Sequence, residues 1–279
     1  MTLSPRQVRD LLSAHGVSPS RALGQNFVAD PNTVRRIARL AGVGPGDRVV
    51  EIGPGLGSLT LALAETGAEV TAIELDRHLL PVLRSVVEPH GVRVVQGDAM
   101  TLDWESVLGT GPDGSGGPGG WSLVANLPYN IATPLVLDLL EGVPAIERML
   151  VMVQREVGER LAAGPGSKTY GIPSVKVAYR ASAEVVGRVP ATVFIPPPRV
   201  ESVLVRLQRL PAPPVDADPA VLFRLVEAGF GQRRKMLRRS LAGLVDPAAF
   251  ERAGVRPEAR AEELALADWA RLASADVGR

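Results

Sequence analysis

A chain of 279 residues, 46% hydrophobic and 22% charged, is long enough to bury a full α/β core and to carry a small second domain. The lack of cysteine excludes disulfides, thiolate zinc sites and thiol nucleophiles, and no apolar run is long enough to cross a bilayer. A net charge of +1 excludes a uniformly basic nucleic-acid binder, so any phosphate-binding surface has to be local.

The elements follow in chain order. Ser4, Pro5 and Gln7 form a cap, a first-turn proline and a capping-box partner for a helix over residues 4–15, with Val8, Leu11 and Leu12 on one face and Gly16 at its end. Asp30 caps a second helix from Pro31 through Val34, Ile37, Ala38 and Ala41 to Gly42. The polar segment RALGQNFVAD between them (21–30) has no periodicity. From residue 48 short apolar runs alternate with helical stretches: 48–52, 69–74, 92–98, 121–126 and 147–153. Strands without polar alternation belong inside a parallel sheet covered on both faces. Residues 183–189 and 201–208 are close enough in sequence to pair as an antiparallel hairpin at one edge, giving seven strands, mostly parallel. The glycine-rich stretch at 109–120 reads as a flexible surface loop, and PAPPV at 211–215 as a linker. Helices are predicted over 219–230, 232–244, 247–253 and 262–274. The fold class is therefore α/β and Rossmann-like, with a main domain over 1–210, its helical lead-in over 1–45, and a small all-α domain over 211–279.

The strand at 48–52 runs into GPGLGS, so Gly53, Gly55 and Gly57 form a tight turn before a helix starting near Ser58. Glu74 ends the next strand, 21 residues after Gly53, where a carboxylate accepts ribose hydroxyls. The spacing lacks the third glycine of the dinucleotide fingerprint, and a second acid, Asp98, ends the third strand, placed to accept an adenine amino hydrogen or to cap a turn. These features favour a nucleoside ligand over a dinucleotide.

Asn126-Leu127-Pro128-Tyr129 ends the fourth strand of that series. An aromatic amine is a poor nucleophile while its lone pair is conjugated with the ring. Two hydrogen-bond acceptors, the Asn126 side-chain oxygen and the Leu127 carbonyl, favour a pyramidal nitrogen aimed at a sulfonium methyl. Pro128 stiffens the turn, and Tyr129 offers a ring on which a base can stack. In the C-terminal region Arg233, Arg234, Lys235, Arg238 and Arg239 fall within one predicted helix, where 234, 235, 238 and 239 share a face. They are phosphate-contact candidates, or simply a solvated basic helix. The dispersed His15, His78 and His90 suggest no metal site.

Along nearly its whole length the chain resembles the ribosomal RNA adenine dimethyltransferases of the KsgA type. The resemblance rests on LGQNFVAD (23–30), EIGPGLGSLT (51–60), Glu74, Asp98, NLPYNIATPL (126–135), MVQREVGERL (152–161), YGIPSV (170–175), FIPPPRVESVLVRL (194–207) and FGQRRKMLRRSL (230–241). It implies S-adenosylmethionine as cofactor, held by Gln25, Asn26, Val28, Gly53, Gly55, Glu74, Asp98 and Asn126. It places Phe194 over the target base opposite Tyr129, and Arg155, Arg160 and Arg199 beside the cleft. It implies dimethylation of two adjacent adenines in a hairpin near the 3′ end of 16S ribosomal RNA within the immature small subunit, by a cytoplasmic monomer with a part in subunit assembly. Neither DNA nor a membrane is expected as a partner. Pro173 and Tyr179 depart from the family's more usual Leu and Gln. The rival readings are a large-subunit enzyme of the macrolide-resistance type and a non-catalytic assembly or transcription factor on the same fold.

Overall fold

The computed structural model describes residues 2–20, 24–109 and 120–276. The glycine-rich stretch expected as a loop therefore lies, apart from its ends, outside the described residues. Two compact units emerge, one formed by Met1–Gly158 with Glu184–Arg209, the other by Glu159–Ala183 with Leu210–Arg279.

The elements are α1 (Pro5–Ala14), β1 (Phe27–Val28), α2 (Pro31–Ala41), β2 (Arg48–Ile52), α3 (Ser58–Ala64), β3 (Glu69–Glu74), α4 (Leu80–Val87), β4 (Arg93–Gln96), α5 (Trp104–Leu108), β5 (Trp121–Asn126), α6 (Ala132–Gly142) and β6 (Ile146–Gln154). There follow α7 (Arg155–Leu161), α8 (Ile172–Arg180), β7 (Ala181–Val189), β8 (Phe194–Ile195) and β9 (Ser202–Arg209), then α9 (Pro219–Gly231), α10 (Leu237–Ser240), α11 (Pro247–Ala253) and α12 (Leu266–Asp276).

Seven strands form one sheet in the order β4-β3-β2-β5-β6-β9-β7. The five strands from β4 to β6 run parallel, and β9 joins β6 antiparallel. The edge expected to be a hairpin is β9 beside β7, with β8 leaving the sheet in between to pair with β1. From β2 the chain proceeds outward through β3 and β4 on one side and through β5 and β6 on the other. Such a reversal opens a crevice at the carboxyl ends of β2 and β5, the usual ligand site of open α/β sheets.

Local chemistry sets the frame of this crevice. Ser4 and Gln7 form the reciprocal capping box of α1, and Asp30 accepts from the Thr33 amide (2.8 Å) to open α2, which Gly42 closes at φ 64°. The apolar faces of both helices, Val8 with Leu12 and Val34 with Ile37, enter one core with the sheet. At the other end of α6, Arg209 donates to the carbonyls of Leu139 (3.0 Å), Leu140 (2.7 Å), Val143 (3.0 Å) and Ile146 (2.9 Å). One guanidinium thus ties the C-terminal end of α6 to the start of β6, with a charge that suits the helix's negative pole.

The second unit resumes at Leu210, next to the boundary expected near residue 211, but residues 159–183, expected in the main domain, group with the C-terminal helices. The Tyr170 hydroxyl donates to the Leu264 carbonyl (2.9 Å), and Lys176 pairs with Glu227 (2.9 Å). Pro173 occupies the first turn of α8, and Tyr179 meets Phe223 edge-on at 5.2 Å. Trp269 is fully buried at the centre of this unit, over Gly229, where a Cβ would come within 2.5 Å of the indole.

A second correction concerns the helix predicted over 232–244. The only helical stretch there is α10, four residues long. Met236 is extended (φ −64°, ψ 148°), and the amides of Leu237 and Arg238 donate to the carbonyls of Ala259 (2.8 Å) and Pro257 (3.0 Å). Arg233, Arg234 and Lys235 sit in the turn before α10, so the shared helical face inferred from i, i+4 spacing does not exist.

Candidate active site

The cleft at the carboxyl ends of the strands is lined from four directions. β2 and the turn after it bring Glu51, Gly53, Pro54 and Gly55; the end of β3 brings Glu74 and Leu75. The turn after β4 brings Asp98, Ala99 and Met100, while β5 and its continuation bring Asn126 and Pro128. The segment Gly24–Val28 closes the remaining side, so Gln25, Asn26 and Val28, expected from the family resemblance to hold the cofactor, line the cleft.

Backbone conformation explains the glycines. Gly53 and Gly55 adopt φ of 68° and 59°, values that an L side chain rarely takes. At Gly55 a Cβ would also lie 2.7 Å from the Phe27 ring of β1. Glu74 holds this turn in place: one carboxyl oxygen accepts the Gly55 amide (3.1 Å) and the other the Asp76 amide (2.8 Å). Burial raises the Glu74 pKa, and the two amide bonds oppose that rise. Asp76 accepts from the Gln25 side chain (2.8 Å), and Gln25 in turn accepts the Ser20 amide (2.7 Å). The segment before β1 is thereby tied to the end of β3.

Asp98 accepts the Met100 amide (2.9 Å), the turn-capping role considered from sequence, while still lining the cleft. Sequence reasoning missed Leu75 and Met100, which are 50% and 37% exposed at the cleft. The available signal was an apolar side chain placed just after a strand-end acid, where turns are usually polar. Together they offer an apolar surface suited to a flat base.

The Asn126 amide nitrogen donates to the Asn26 carbonyl (3.1 Å). A carbonyl can only accept, so this bond fixes which way the amide faces. Its oxygen, Oδ1, is left buried without a hydrogen-bond partner among the described residues. An orphaned buried acceptor costs free energy unless a ligand satisfies it. Leu127 is buried, with its amide bonded to the Met152 carbonyl (3.1 Å), and Pro128 packs beside Gly53. The Tyr129 hydroxyl bonds Ser202 (2.9 Å), which fixes the direction of the half-buried ring. Burial raises the phenol pKa, against the effect of the Ser202 bond, so the ring stays uncharged at neutral pH.

Phe194 requires a correction. It is 2% exposed, pairs with Val28 across the β1–β8 ladder and belongs to the core. No face of its ring is open to a base in this arrangement, and it does not line the cleft. Among the basic candidates, Arg155 is paired with Glu201 (3.5 Å), while Arg199 is exposed. Arg233 bonds Glu262 (2.7 Å) and the Lys168 carbonyl (2.9 Å), and Arg238 pairs with Glu258 (3.8 Å). Arg234, Lys235 and Arg239 are exposed, with no ion-pair partner among the described residues.

The donor set suits a nucleoside that carries positive charge. Glu51, Glu74 and Asp98 face the cleft, no Arg, Lys or His lines it among the described residues, and Leu75 with Met100 supplies the apolar surface.

Comparison with known proteins agrees with this reading. Over 98% of its length the chain is 49% identical to the ribosomal RNA small subunit methyltransferase A of Kineococcus radiotolerans, spanning 91% of that protein. It is 48% identical to the protein of the same name from Thermobifida fusca, over 97% of this chain and 95% of the relative. Among solved structures, the 23S rRNA methyltransferase ErmE superposes with a TM-score of 0.69 at 27% identity, over 90% of this chain and 100% of that one. A dimethyladenosine transferase from Plasmodium falciparum shares the fold, with a TM-score of 0.70 at 22% identity over 87% of this chain and 94% of that one. Residues 18–275 match the ribosomal RNA adenine dimethylase family, and the chain belongs to that family, whose methyl donor is S-adenosylmethionine.

Proposed function

We propose that the protein transfers methyl groups from S-adenosylmethionine to the exocyclic amines of two adjacent adenines in a hairpin near the 3′ end of 16S ribosomal RNA, two methyls on each, while the small subunit is still immature. The observation that carries this reading is the buried, unpartnered Oδ1 of Asn126 beside a nucleoside cleft. The identity of 49% to a small-subunit enzyme, against 27% to a large-subunit one, favours the small-subunit substrate.

When bound, S-adenosylmethionine supplies an electrophilic methyl on positively charged sulfur. Asn126 Oδ1 takes one hydrogen of the adenine amine and the Leu127 carbonyl takes the other, directing the nitrogen lone pair out of conjugation. Tyr129 stacks on the base, its hydroxyl anchored by Ser202. No strong base is needed, because a nitrogen that has gained a methyl carries positive charge and loses its proton readily. A paired or stacked adenine cannot reach this position, so the base leaves its stack to react.

Phosphate contact is assigned to Arg234, Lys235 and Arg239, which are exposed and uncommitted, rather than to Arg233, which the Glu262 bond holds. Reversing charge at Arg234 and Arg239 lowers the slope of log affinity against log salt by about one per lost contact. A filter-binding titration over a salt series measures it, and an unchanged slope returns these residues to a solvated role. The substrate itself is tested by incubating the protein with undermethylated small subunits and locating dimethyladenine by mass spectrometry. Modification confined to the large subunit, or none at all, overturns the proposal.

A further inference from the structure

Glu51 has no part in the mechanism above, yet it is the most deeply buried acid of the cleft. It sits on β2, is 1% exposed, and lines the cleft with Ser58 of α3. Its Oε2 has no hydrogen-bond partner among the described residues, and neither has the hydroxyl of Ser58. An unpaired carboxylate is expensive in such a place, and the neutral acid is far less so. Among the described residues the surroundings offer no compensating charge. From β3 the facing group is Glu74, with Asp76 beyond it; from the turn after β4 it is Asp98; α3 and β5 contribute only Ser58, Thr60 and Asn126. Burial pushes Glu51 up to about 8; a hydrogen bond with the Thr60 side chain opposes this in part, and the Glu74 charge adds a smaller push upward.

We propose that Glu51 is the charge sensor of the cofactor cleft: it is a neutral acid while the cleft holds no cation, and it gives up its proton when the cationic methyl donor enters. The carboxyl O–H bond breaks, the proton passes to solvent, and the carboxylate that remains balances the ligand's positive charge. Donor binding is then coupled to release of one proton. Methyl transfer removes the sulfonium charge, so the product leaves a weaker hold on the ionised form and the donor is preferred. The inference rests on the cofactor assignment of the cleft.

Calorimetry of the intact protein in two buffers of different ionisation enthalpy, at pH 7, counts the protons released. The expected result is close to one per S-adenosylmethionine bound, with affinity rising up to tenfold per pH unit between about pH 6 and 8. S-adenosylhomocysteine keeps the ammonium and methylthioadenosine has neither charge, so the two ligands separate the ammonium from the sulfonium as the group sensed. In Glu51→Gln the release falls to near zero and affinity flattens with pH, while any slope due to Glu74, Asp76 or Asp98 persists. Because Gln mimics the neutral acid, the variant remains folded. Its stability also loses a pH dependence that the parent shows: the folded parent binds the Glu51 proton more tightly, so its stability is full below about pH 4.5 and declines as pH rises toward 8. Infrared difference spectra of the parent show loss of a protonated-carboxyl band on donor binding. Binding without proton release, or equal release in parent and variant, overturns the role of Glu51 alone. Absence of binding at every pH overturns the cofactor assignment as well.

Discussion

Asn126→Ala abolishes detectable methyl transfer while the protein still binds S-adenosylmethionine. Removing one preorganised polar group from a transition state typically lowers turnover by about 10²–10³-fold, and here the same change also releases the Asn26 carbonyl that the amide held. The strand-end turn survives, because Leu127 remains buried with its amide bonded to Met152. Single-turnover methylation of undermethylated small subunits, alongside calorimetry with the cofactor, separates the two effects. Turnover within tenfold of the parent, with cofactor affinity intact, removes the acceptor mechanism.

Gly55→Ala is expected to fail at an earlier step. A side chain at φ 59° costs about 1–2 kcal/mol, and displacing the Phe27 ring from 2.7 Å adds roughly 1–3 kcal/mol. At about 2–4 °C per kcal/mol for a unit of this size, the melting temperature falls by roughly 4–20 °C. The Gly55 amide also leaves Glu74, so cofactor affinity falls at least about tenfold, the equivalent of one lost hydrogen bond to a charged group. Thermal melts and calorimetry report both quantities. A melting temperature and dissociation constant unchanged from the parent show that the turn tolerates a side chain and that its geometry is not what the cofactor needs.

The strands of the parallel sheet were legible because β-branched runs bounded by turn residues have few alternatives. β2, β3 and β5 begin and end at the residues expected. The caps of α1 and α2 were equally local, since Ser4, Gln7 and Asp30 act within one turn of their own positions. What sequence could not carry was anything decided by distant backbone. β1 and β8 are two residues each and exist only because Phe27 and Val28 meet Ile195 and Phe194 across the chain. The same pairing buries Phe194, which the resemblance had placed over the base. The QRRKMLRRS stretch has helical composition throughout. It breaks because the carbonyls of Pro257 and Ala259 capture the amides that a continuous helix would use. Likewise residues 159–183 carry no compositional mark of the unit they join; Tyr170 and Lys176 find their partners some 50 to 95 positions later.

The bond from Asn126 to the Asn26 carbonyl has a bearing on which bases the site accepts. With its nitrogen committed to a main-chain oxygen, the Asn126 amide cannot rotate to present a donor. Guanine and hypoxanthine carry an oxygen where adenine carries its amine, and that oxygen would face Oδ1 with two lone pairs opposed and no proton between them. A site built around a required donor rejects an analogue that lacks it far more strongly than a shape mismatch would. Purine identity is thus read by a backbone carbonyl 100 residues away in sequence, which holds the reading group in one of its two orientations.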